Sequence, residues 1–336
     1  MDISRRRRRI LQEIISLYTL YGDPVGSKLL EQILEEISVS SATIRNDMAE
    51  LTSLGLLEQP FTSSGRVPTV MGYRYYIDNL LRLTPLEEGE RQFIDRAIDG
   101  MDPDPGKAAE LAAQTLVKLT GLASIVTTPR GGNIQITRFE LMQCGKYNIG
   151  VIGVTGIGGI RSRVCRLQQE LSDEQLERFT DDLNRNLLFI SFEDITVQRL
   201  ERIKRDVADE NELFSPILTA AVSIIRSLSE VRVYIDGQQH LLSFSELEDS
   251  VRQLLELFSD SQALCRYIEG SSSLRIHVSD AFGIERLGMV IARYSATGGR
   301  FGEMAVTGPT RMDYGFIIPR ISYFRDRMSA ELTSSA

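Results

Sequence analysis

Hydrogen-bonding side chains occur at helical spacing in the segment SVSSATIRNDM, at residues 38–48. If the apolar residues Ile44, Met48 and Leu51 face the core of a helix, the outward positions of its first two turns carry hydroxyls, an amide and a guanidinium. Arginine pairs with guanine edges and asparagine with adenine edges, while alanine and the threonine methyl contact thymine methyls. The outward residues are Ser41, Ala42, Thr43, Arg45 and Asn46. This pattern is typical of a helix whose N-terminal turns enter the major groove of DNA. Taken alone, the stretch also fits a solvated amphipathic helix.

Capping and glycine signals make that segment the third of three short helices. Ser4 is the predicted cap of a first helix that ends near residue 20, and Ser27 is the predicted cap of a short second helix. Ser40 or Ser41 caps the third, and Gly55 follows it at the position where a left-handed residue ends helices. The order predicts a helix-turn-helix whose third helix presents its first turns outward.

Two short strands after the third helix are predicted to form a hairpin. They cover Leu56–Gln59 and Arg66–Thr69, and the segment between them is rich in serine and glycine. Arg66 stands beside this tip, where its guanidinium reaches phosphate or a minor groove if the hairpin is the wing of a winged helix. A simple exposed turn is the other interpretation, but the order of elements favours the wing. The candidate DNA-contacting residues are Ser27, Lys28, Ser40, Ser41, Thr43, Arg45, Asn46 and Arg66.

Basic residues form local clusters rather than a basic domain. The net charge is −8, and residues 1–82 hold ten basic and ten acidic side chains, so that segment is neutral. Binding to DNA must therefore depend on a few well-placed cations. The run Arg5–Arg9 is one cluster, either a set of phosphate contacts or a solvated helix face.

Composition argues against several other classes of protein. The three cysteines form no C-x-x-C pair and only two histidines are present, so neither a zinc site nor a nucleophile–histidine–acid constellation has suitable spacing. No stretch approaches the roughly 18 apolar residues of a membrane helix, and the N-terminal segment lacks the features of a secretory signal. We therefore predict a cytoplasmic protein that is not an enzyme, needs no cofactor or metal and contacts no membrane.

The remaining chain predicts an α+β architecture with an inserted segment. Two helical patterns are followed by four strand-like runs between residues 123 and 167. Three helical segments, a strand with the letters VRVYIDG and a helix over 246–268 come next, and three strands and a closing helix capped by Thr310 follow. Helices, sheet, helices and sheet again indicate a domain with an insertion. The predicted units are 1–83, a helical linker region at 84–106, a discontinuous domain at 107–167 and 246–336, and the insertion at 168–245.

Four segments within residues 23–78 together resemble the heat-inducible transcription repressor family HrcA. In order along the chain they read DPVGSK, VSSATIRNDMAELTSLGLLEQP, TSSGRVPT and GYRYYID. Near the other end, GPTRMDYGFIIPRISYF at 308–324 is similar to the C-terminal signature of that family. The segment IHVSDAFGIERLG at 276–288 departs from the family's usual glycine- and asparagine-bearing pattern. The similarity extends from end to end.

The resemblance implies both a fold and a function. The implied fold is α+β, an N-terminal winged helix-turn-helix followed by a GAF-like α/β domain with an inserted dimerisation domain. The implied function is repression of heat-shock (chaperone) operons by a homodimer that binds double-stranded DNA at an inverted-repeat operator. A GroEL-type chaperonin is an implied partner, which couples repression to the load of unfolded protein.

Two alternatives stand beside a repressor without catalysis. A biotin ligase–repressor would need an arginine- and glycine-rich loop, and the nearest stretch, PRGGN at 129–133, is too short. A winged-helix regulator whose GAF-like domain senses a small molecule is compatible with the sequence.

Overall fold

The computed structural model describes residues 3–34, 39–61, 64–102, 104–131, 134–156, 159–207 and 212–334. Within these ranges, the N-terminal part contains four helices and a two-stranded hairpin. The elements are α1 (Arg5–Tyr21), α2 (Ser27–Ile33), α3 (Ser41–Ser53), β1 (Leu57–Glu58), β2 (Val67–Pro68) and α4 (Val70–Asn79). The two strands pair antiparallel, with Leu57 opposite Pro68. The predicted winged helix-turn-helix is confirmed.

Local capping sets the limits of these helices. Ser4 is the N-cap of α1, and its Oγ accepts a hydrogen bond from the Arg7 N–H at 3.4 Å. Gly55 follows α3 with a φ of 74°, the left-handed conformation that glycine adopts without steric cost. The prediction for Ser27 is wrong, because α2 begins at that residue and Gly26 occupies the cap position.

Further helices and strands make up the rest of the described chain. The helices are α5 (Glu88–Asp99), α6 (Pro105–Thr120), α7 (Asp173–Leu187), α8 (Val197–Asp206), α9 (Phe214–Ser229), α10 (Gln238–Leu241), α11 (Val251–Ser259), α12 (Ser261–Ile268) and α13 (Tyr314–Ser334). The strands are β3 (Ala123–Thr127), β4 (Ile136–Gly145), β5 (Asn148–Thr155), β6 (Ile160–Arg166), β7 (Val233–Asp236), β8 (Leu274–His277), β9 (Leu287–Ala296) and β10 (Arg300–Pro309).

A five-stranded antiparallel sheet in the order β7-β3-β10-β9-β8 forms the centre of the C-terminal part. Successive residues of a strand point to opposite faces of the sheet. In β3, Val126 therefore joins the core that contains α5, α6 and α13, whereas Ile125 joins the core that contains α10, α11 and α12. The sheet thus has a helical layer on each face, and the α+β class is confirmed.

A second sheet, in the order β4-β5-β6, lies between β3 and β7 along the chain. It packs with α7, α8 and α9 in a separate core that includes Phe139, Phe179 and Phe214. The inserted unit therefore spans residues 136–229, and the predicted limits of 168 and 245 are wrong. The sequence assigns β4–β6 to the discontinuous domain and β7 to the insertion, because an alternating pattern does not reveal which sheet a strand joins. In the structure β7 pairs with β3, and Ile235 lies opposite Ile125.

Two predictions about helices are also corrected. The helix predicted over 246–268 is interrupted, since Asp260 accepts a hydrogen bond from the Ala263 N–H at 3.0 Å and caps a new helix, α12. Asp313 rather than Thr310 caps α13, because its Oδ1 accepts from the Phe316 N–H at 3.0 Å. In both cases a carboxylate competes successfully for the free N–H groups at a helix start.

The region predicted as a linker at 84–106 contains a helix that belongs to the C-terminal part. Glu90 of α5 accepts two hydrogen bonds from Arg320 of α13, from Nε at 2.8 Å and from Nη2 at 2.6 Å. Arg320 is 2% exposed, so this ion pair is formed inside the helical layer. The segment is therefore structural and not a simple spacer.

The winged helix packs against the C-terminal part through one continuous apolar core. The rings of Tyr73 in α4 and Tyr314 in α13 have centroids 6.3 Å apart. Arg311 donates from Nη1 to the carbonyl oxygen of Thr19 at the end of α1, at 3.0 Å, and its Nε contacts Glu246. These contacts hold the winged-helix unit on the rest of the chain in this structure.

Candidate DNA-binding surface

Hydroxyl groups hold the start of α3. The Oγ of Ser40 accepts from the Thr43 N–H at 3.4 Å and lies 3.1 Å from Thr43 Oγ1. The N–H of Ser41 donates to Glu31 Oε1 in α2 at 2.8 Å, and Ser41 Oγ lies 3.1 Å from Ser27 Oγ. These contacts connect the two helices of the helix-turn-helix and set the position of the first turn of α3.

The outward face of α3 is open. Ala42, Arg45 and Asn46 are exposed, whereas Ile44 and Met48 on the inner face are 1% and 4% exposed. Among the residues that the structure describes, the side chains of Arg45 and Asn46 have no hydrogen-bond partner. Residues three and four apart lie on the same face of a helix, so a methyl, a guanidinium and an amide stand side by side. These are the groups that contact thymine, guanine and adenine in the major groove.

The other candidate residues lie at two different places. Ser27 and Lys28 begin α2, close to the start of α3, and Lys28 is exposed. Arg66 lies at the base of the wing and not at its tip, because its backbone pairs with Val25. Its Nε donates to Thr52 Oγ1 at 3.1 Å, near the C-terminal end of α3. The structure therefore groups seven of the eight candidates around the start of α3 and places Arg66 apart from them. Ser63, in the predicted tip, falls outside the described residues.

The sequence reasoning missed Asp47, a buried residue of α3 that binds two arginines of α1. It is 3% exposed and accepts hydrogen bonds from Arg6 Nε at 2.6 Å, Arg6 Nη2 at 3.1 Å and Arg7 Nε at 3.1 Å. Arg7 also contacts Glu50, one turn further along α3. Burial raises the pKa of the Asp47 carboxyl, but the hydrogen bonds from the two arginines outweigh this effect and hold its pKa below the ordinary value. The two arginines and Asp47, which we call the Asp47 clamp, attach α3 to α1.

A sequence signal for this clamp was present. Asp47 lies three residues after Ile44 and four before Leu51, so it occupies the apolar stripe of its own helix. An acidic residue at such a position needs a buried partner. The run Arg5–Arg9 supplies this partner, because Arg6 and Arg7 bind Asp47. Arg9 pairs with Glu13 at 2.9 Å, so part of the run stabilises the fold.

The described ranges contain no group of three or more His, Cys, Asp or Glu side chains placed to hold a metal ion. None of their helices has both the length and the apolar character needed to cross a bilayer.

Two family models match the two parts of the chain. The model described as "Winged helix-turn-helix transcription repressor, HrcA DNA-binding" matches residues 2–79, and the model described as "HrcA protein C terminal domain" matches residues 107–318. The chain belongs to the HrcA family. The HrcA DNA-binding model covers the whole candidate set, from Ser27 to Arg66, together with the Asp47 clamp.

Full-length HrcA relatives match over nearly the whole chain. The heat-inducible transcription repressor HrcA of Syntrophobacter fumaroxidans is 30% identical and covers 98% of this chain and 97% of its own length. The heat-inducible transcription repressor HrcA of Laribacter hongkongensis is 31% identical, over 99% of this chain and 96% of its own. The resemblance inferred from the motifs is confirmed. A crystal structure of a hypothetical protein at 2.2 Å, 23% identical, matches with a TM-score of 0.70 over 100% of both chains and supports the fold.

Proposed function

We propose that this HrcA family member represses heat-shock (chaperone) operons by binding an inverted-repeat operator as a homodimer. The observation that carries the proposal is the open face of α3, on which Ala42, Arg45 and Asn46 stand together at the spacing of one helix turn. Helices of this type enter the major groove with their N-terminal turns toward the bases. The relatives that match the whole chain are named as heat-inducible transcription repressors.

The Asp47 clamp supports the same proposal. A helix that reads bases must hold its side chains within a narrow range of positions, and rigid neighbours provide that precision. Here α3 is held at its start by Ser41 and Glu31 and in its middle by Asp47. The outward residues are thus free to contact DNA, while the inward residues are fixed.

The inserted unit supports the homodimer. Strand β6 is at the edge of its sheet among the described strands, and it pairs only with β5. Ile160 and Val164 on this strand are 63% and 67% exposed. An exposed edge strand with apolar side chains is a typical surface for pairing with a second chain. A twofold dimer would present two α3 helices to half-sites related by inverted repetition, about one or more helical turns apart.

Selection of bound DNA from a random pool tests the proposal, and single substitutions on α3 refine it. We expect an inverted repeat to be enriched. Replacing Arg45 or Asn46 with alanine is expected to cost about 1–3 kcal/mol of binding free energy each and to relax the preference at one base position per half-site. Gel-shift titrations on base-substituted operators measure this. Ser53→Ala, at the far end of the same helix, is the control; an unchanged base preference for Asn46→Ala would count against this placement of α3.

Arg66 is expected to contribute to affinity without contributing to base preference. Arg66→Ala should weaken binding to all sequences and reduce the slope of log affinity against log salt by about one. Thr52→Val removes the hydroxyl that Arg66 contacts but keeps the charge, so it should leave that slope unchanged. Arg66→Ala and Thr52→Val could instead lose affinity equally and keep the salt slope of the parent protein. That result would show that Arg66 supports the wing and does not contact phosphate.

Chaperonin dependence is a further part of the proposal. A dimer of marginal stability loses DNA affinity as it unfolds or dissociates on heating, and a GroEL-type chaperonin restores it by refolding the chain. We expect operator binding that is lost after mild heating to return when chaperonin and ATP are added. Spontaneous recovery to the same extent, on cooling alone, would exclude chaperonin as the limiting partner.

A further inference from the structure

A large cleft lies between the wing and the C-terminal part, beside the apolar core that joins the two units. Its volume is about 860 Å³, which is the size of a small-molecule site. One wall belongs to the wing and the start of α4 and carries apolar groups, of which Phe61 and Met71 are 74% and 52% exposed. The other wall belongs to the C-terminal part and carries polar and charged groups. A molecule in this cleft contacts both units at once.

Two buried polar atoms in the cleft lining have no hydrogen-bond partner within the described chain. They are Oε2 of Glu246 and Oγ1 of Thr310. Glu246 uses only its other carboxylate oxygen, in the contact with Arg311. Buried polar atoms are nearly always paired in folded proteins, so these two oxygens add to the polar character of this wall.

The charges of the lining favour a cation. Glu58, Glu246, Asp280 and Glu285 face two basic residues, Arg286 and Arg311. Arg311 is occupied by Glu246 and the carbonyl of Thr19, and Arg286 lies 3.8 Å from Glu285. The acidic groups are therefore in excess, and Glu58 and Asp280 are both exposed to the cleft solvent. The electrostatic potential of this lining therefore attracts a positively charged molecule and does not attract an anion of the same size.

The backbone of the C-terminal wall is held in an uncommon conformation. Asp280 and Arg286, which line the cleft, have φ values of 56° and 60°, in the left-handed region that side chains other than glycine rarely adopt. Such conformations cost free energy and cluster at binding sites. There they hold side chains in positions that an unstrained backbone would not give them. This segment coincides with the part of the sequence that departs from the family pattern.

We propose that the cleft binds a small organic cation with an apolar body and at least one ammonium or similar N–H group. The cationic group lies among the exposed carboxylates of Glu58 and Asp280, and the apolar body lies against Met71 and Phe61. Because the ligand touches the winged helix and the C-terminal part together, its binding is coupled to their relative position and hence to DNA binding.

Calorimetric titration of the full-length protein with two probes tests the proposal. Tyramine carries a phenol ring and an ammonium group, and 4-hydroxyphenylacetate carries the same ring with a carboxylate. We expect tyramine to bind with one site per chain and at least about tenfold more tightly than the acid. The double variant Glu58→Gln/Asp280→Asn, at two exposed positions, should fold normally by circular dichroism and bind tyramine at least about fivefold more weakly.

A matched control lies outside the cleft. Glu201→Gln, an exposed carboxylate of the inserted unit, should leave tyramine binding unchanged. Equal binding of the two probes, no saturable binding of tyramine, or equal loss in the control would overturn the proposal. Operator binding without any probe is measured in the same preparation, so a failure of the proposed function is distinguishable from a failure of the cleft site.

Discussion

Replacing Asp47 with alanine is expected to lower the free energy of unfolding by about 2 kcal/mol and to reduce specific DNA binding. Hydrogen bonds to charged groups contribute roughly 1.5–3 kcal/mol. The expected loss lies in the lower part of that range because water can replace some of the hydrogen bonds that the two arginines make to Asp47. The side chain of Arg6 is 44% exposed and that of Arg7 is 28% exposed. Since the clamp connects α3 to α1, its loss also loosens the helix that carries Arg45 and Asn46.

The experiment compares two substitutions on the same helix. Urea unfolding monitored by circular dichroism gives the stability, and gel shifts on the selected operator and on unrelated DNA give the specificity. Glu50→Ala is the control, because the side chain of Glu50 is 52% exposed and pairs only with Arg7 among the described residues. We expect specificity to fall in Asp47→Ala and to be retained in Glu50→Ala. Equal stability and specificity in the two variants would mean that the Asp47 clamp does not position α3.

The clamp also has an expected pH dependence. The pKa of Asp47 is lower in the folded protein than its ordinary value. A carboxyl group of this kind stabilises the fold above its unfolded pKa, about 3.9, and the stabilisation is lost as the pH falls through the folded pKa. The stability difference between the parent protein and Asp47→Ala should therefore be constant above about pH 5 and become smaller below about pH 4.

Features that depend on a few neighbouring residues were predictable from the sequence. The caps at Ser4 and Ser40 and the left-handed Gly55 are decided by local side chains and by the absence of a Cβ, and the structure has them as predicted. The outward face of α3 follows from the spacing of its apolar residues in the same way. The prediction of a winged helix therefore required no knowledge of distant contacts.

Features that depend on distant partners were not predictable in this way. Strand β7 pairs with β3 more than a hundred residues earlier, and its own alternation of apolar residues is the same in either sheet. The partner of Asp47 lies 41 residues away in Arg6, so the sequence left open whether the run Arg5–Arg9 contacts phosphate or is a solvated helix face, and it did not reveal the pairing with Asp47. The sequence places Arg66 beside the wing tip but does not reveal that its backbone pairs with Val25, because that pairing has no sequence signature. Each of these three points concerns a contact that only tertiary structure determines.

The closest backbone approach in the winged helix gives the second large expected effect. A Cβ placed on Gly72 in α4 would lie 2.1 Å from the carbonyl oxygen of Leu56, which is far inside van der Waals contact. Leu56 is fully buried, and its carbonyl accepts a hydrogen bond from the Thr69 N–H at 3.2 Å. Neither backbone segment can retreat without breaking that bond or separating α4 from the core. Gly72→Ala is therefore expected to lower the free energy of unfolding by about 3 kcal/mol or more.

Gly89 provides the matched comparison, because it also lies in a helix but a Cβ there meets nothing within 4 Å. Gly89→Ala in α5 should raise stability by roughly 0.5–1 kcal/mol, since alanine is the better helix former. Urea unfolding of both variants at one pH measures the contrast, and operator binding should fall only in Gly72→Ala. If Gly72→Ala were as stable as the parent protein, the packing of α4 on the strand leading into the wing would differ from that in this structure, and with it the support for the wing.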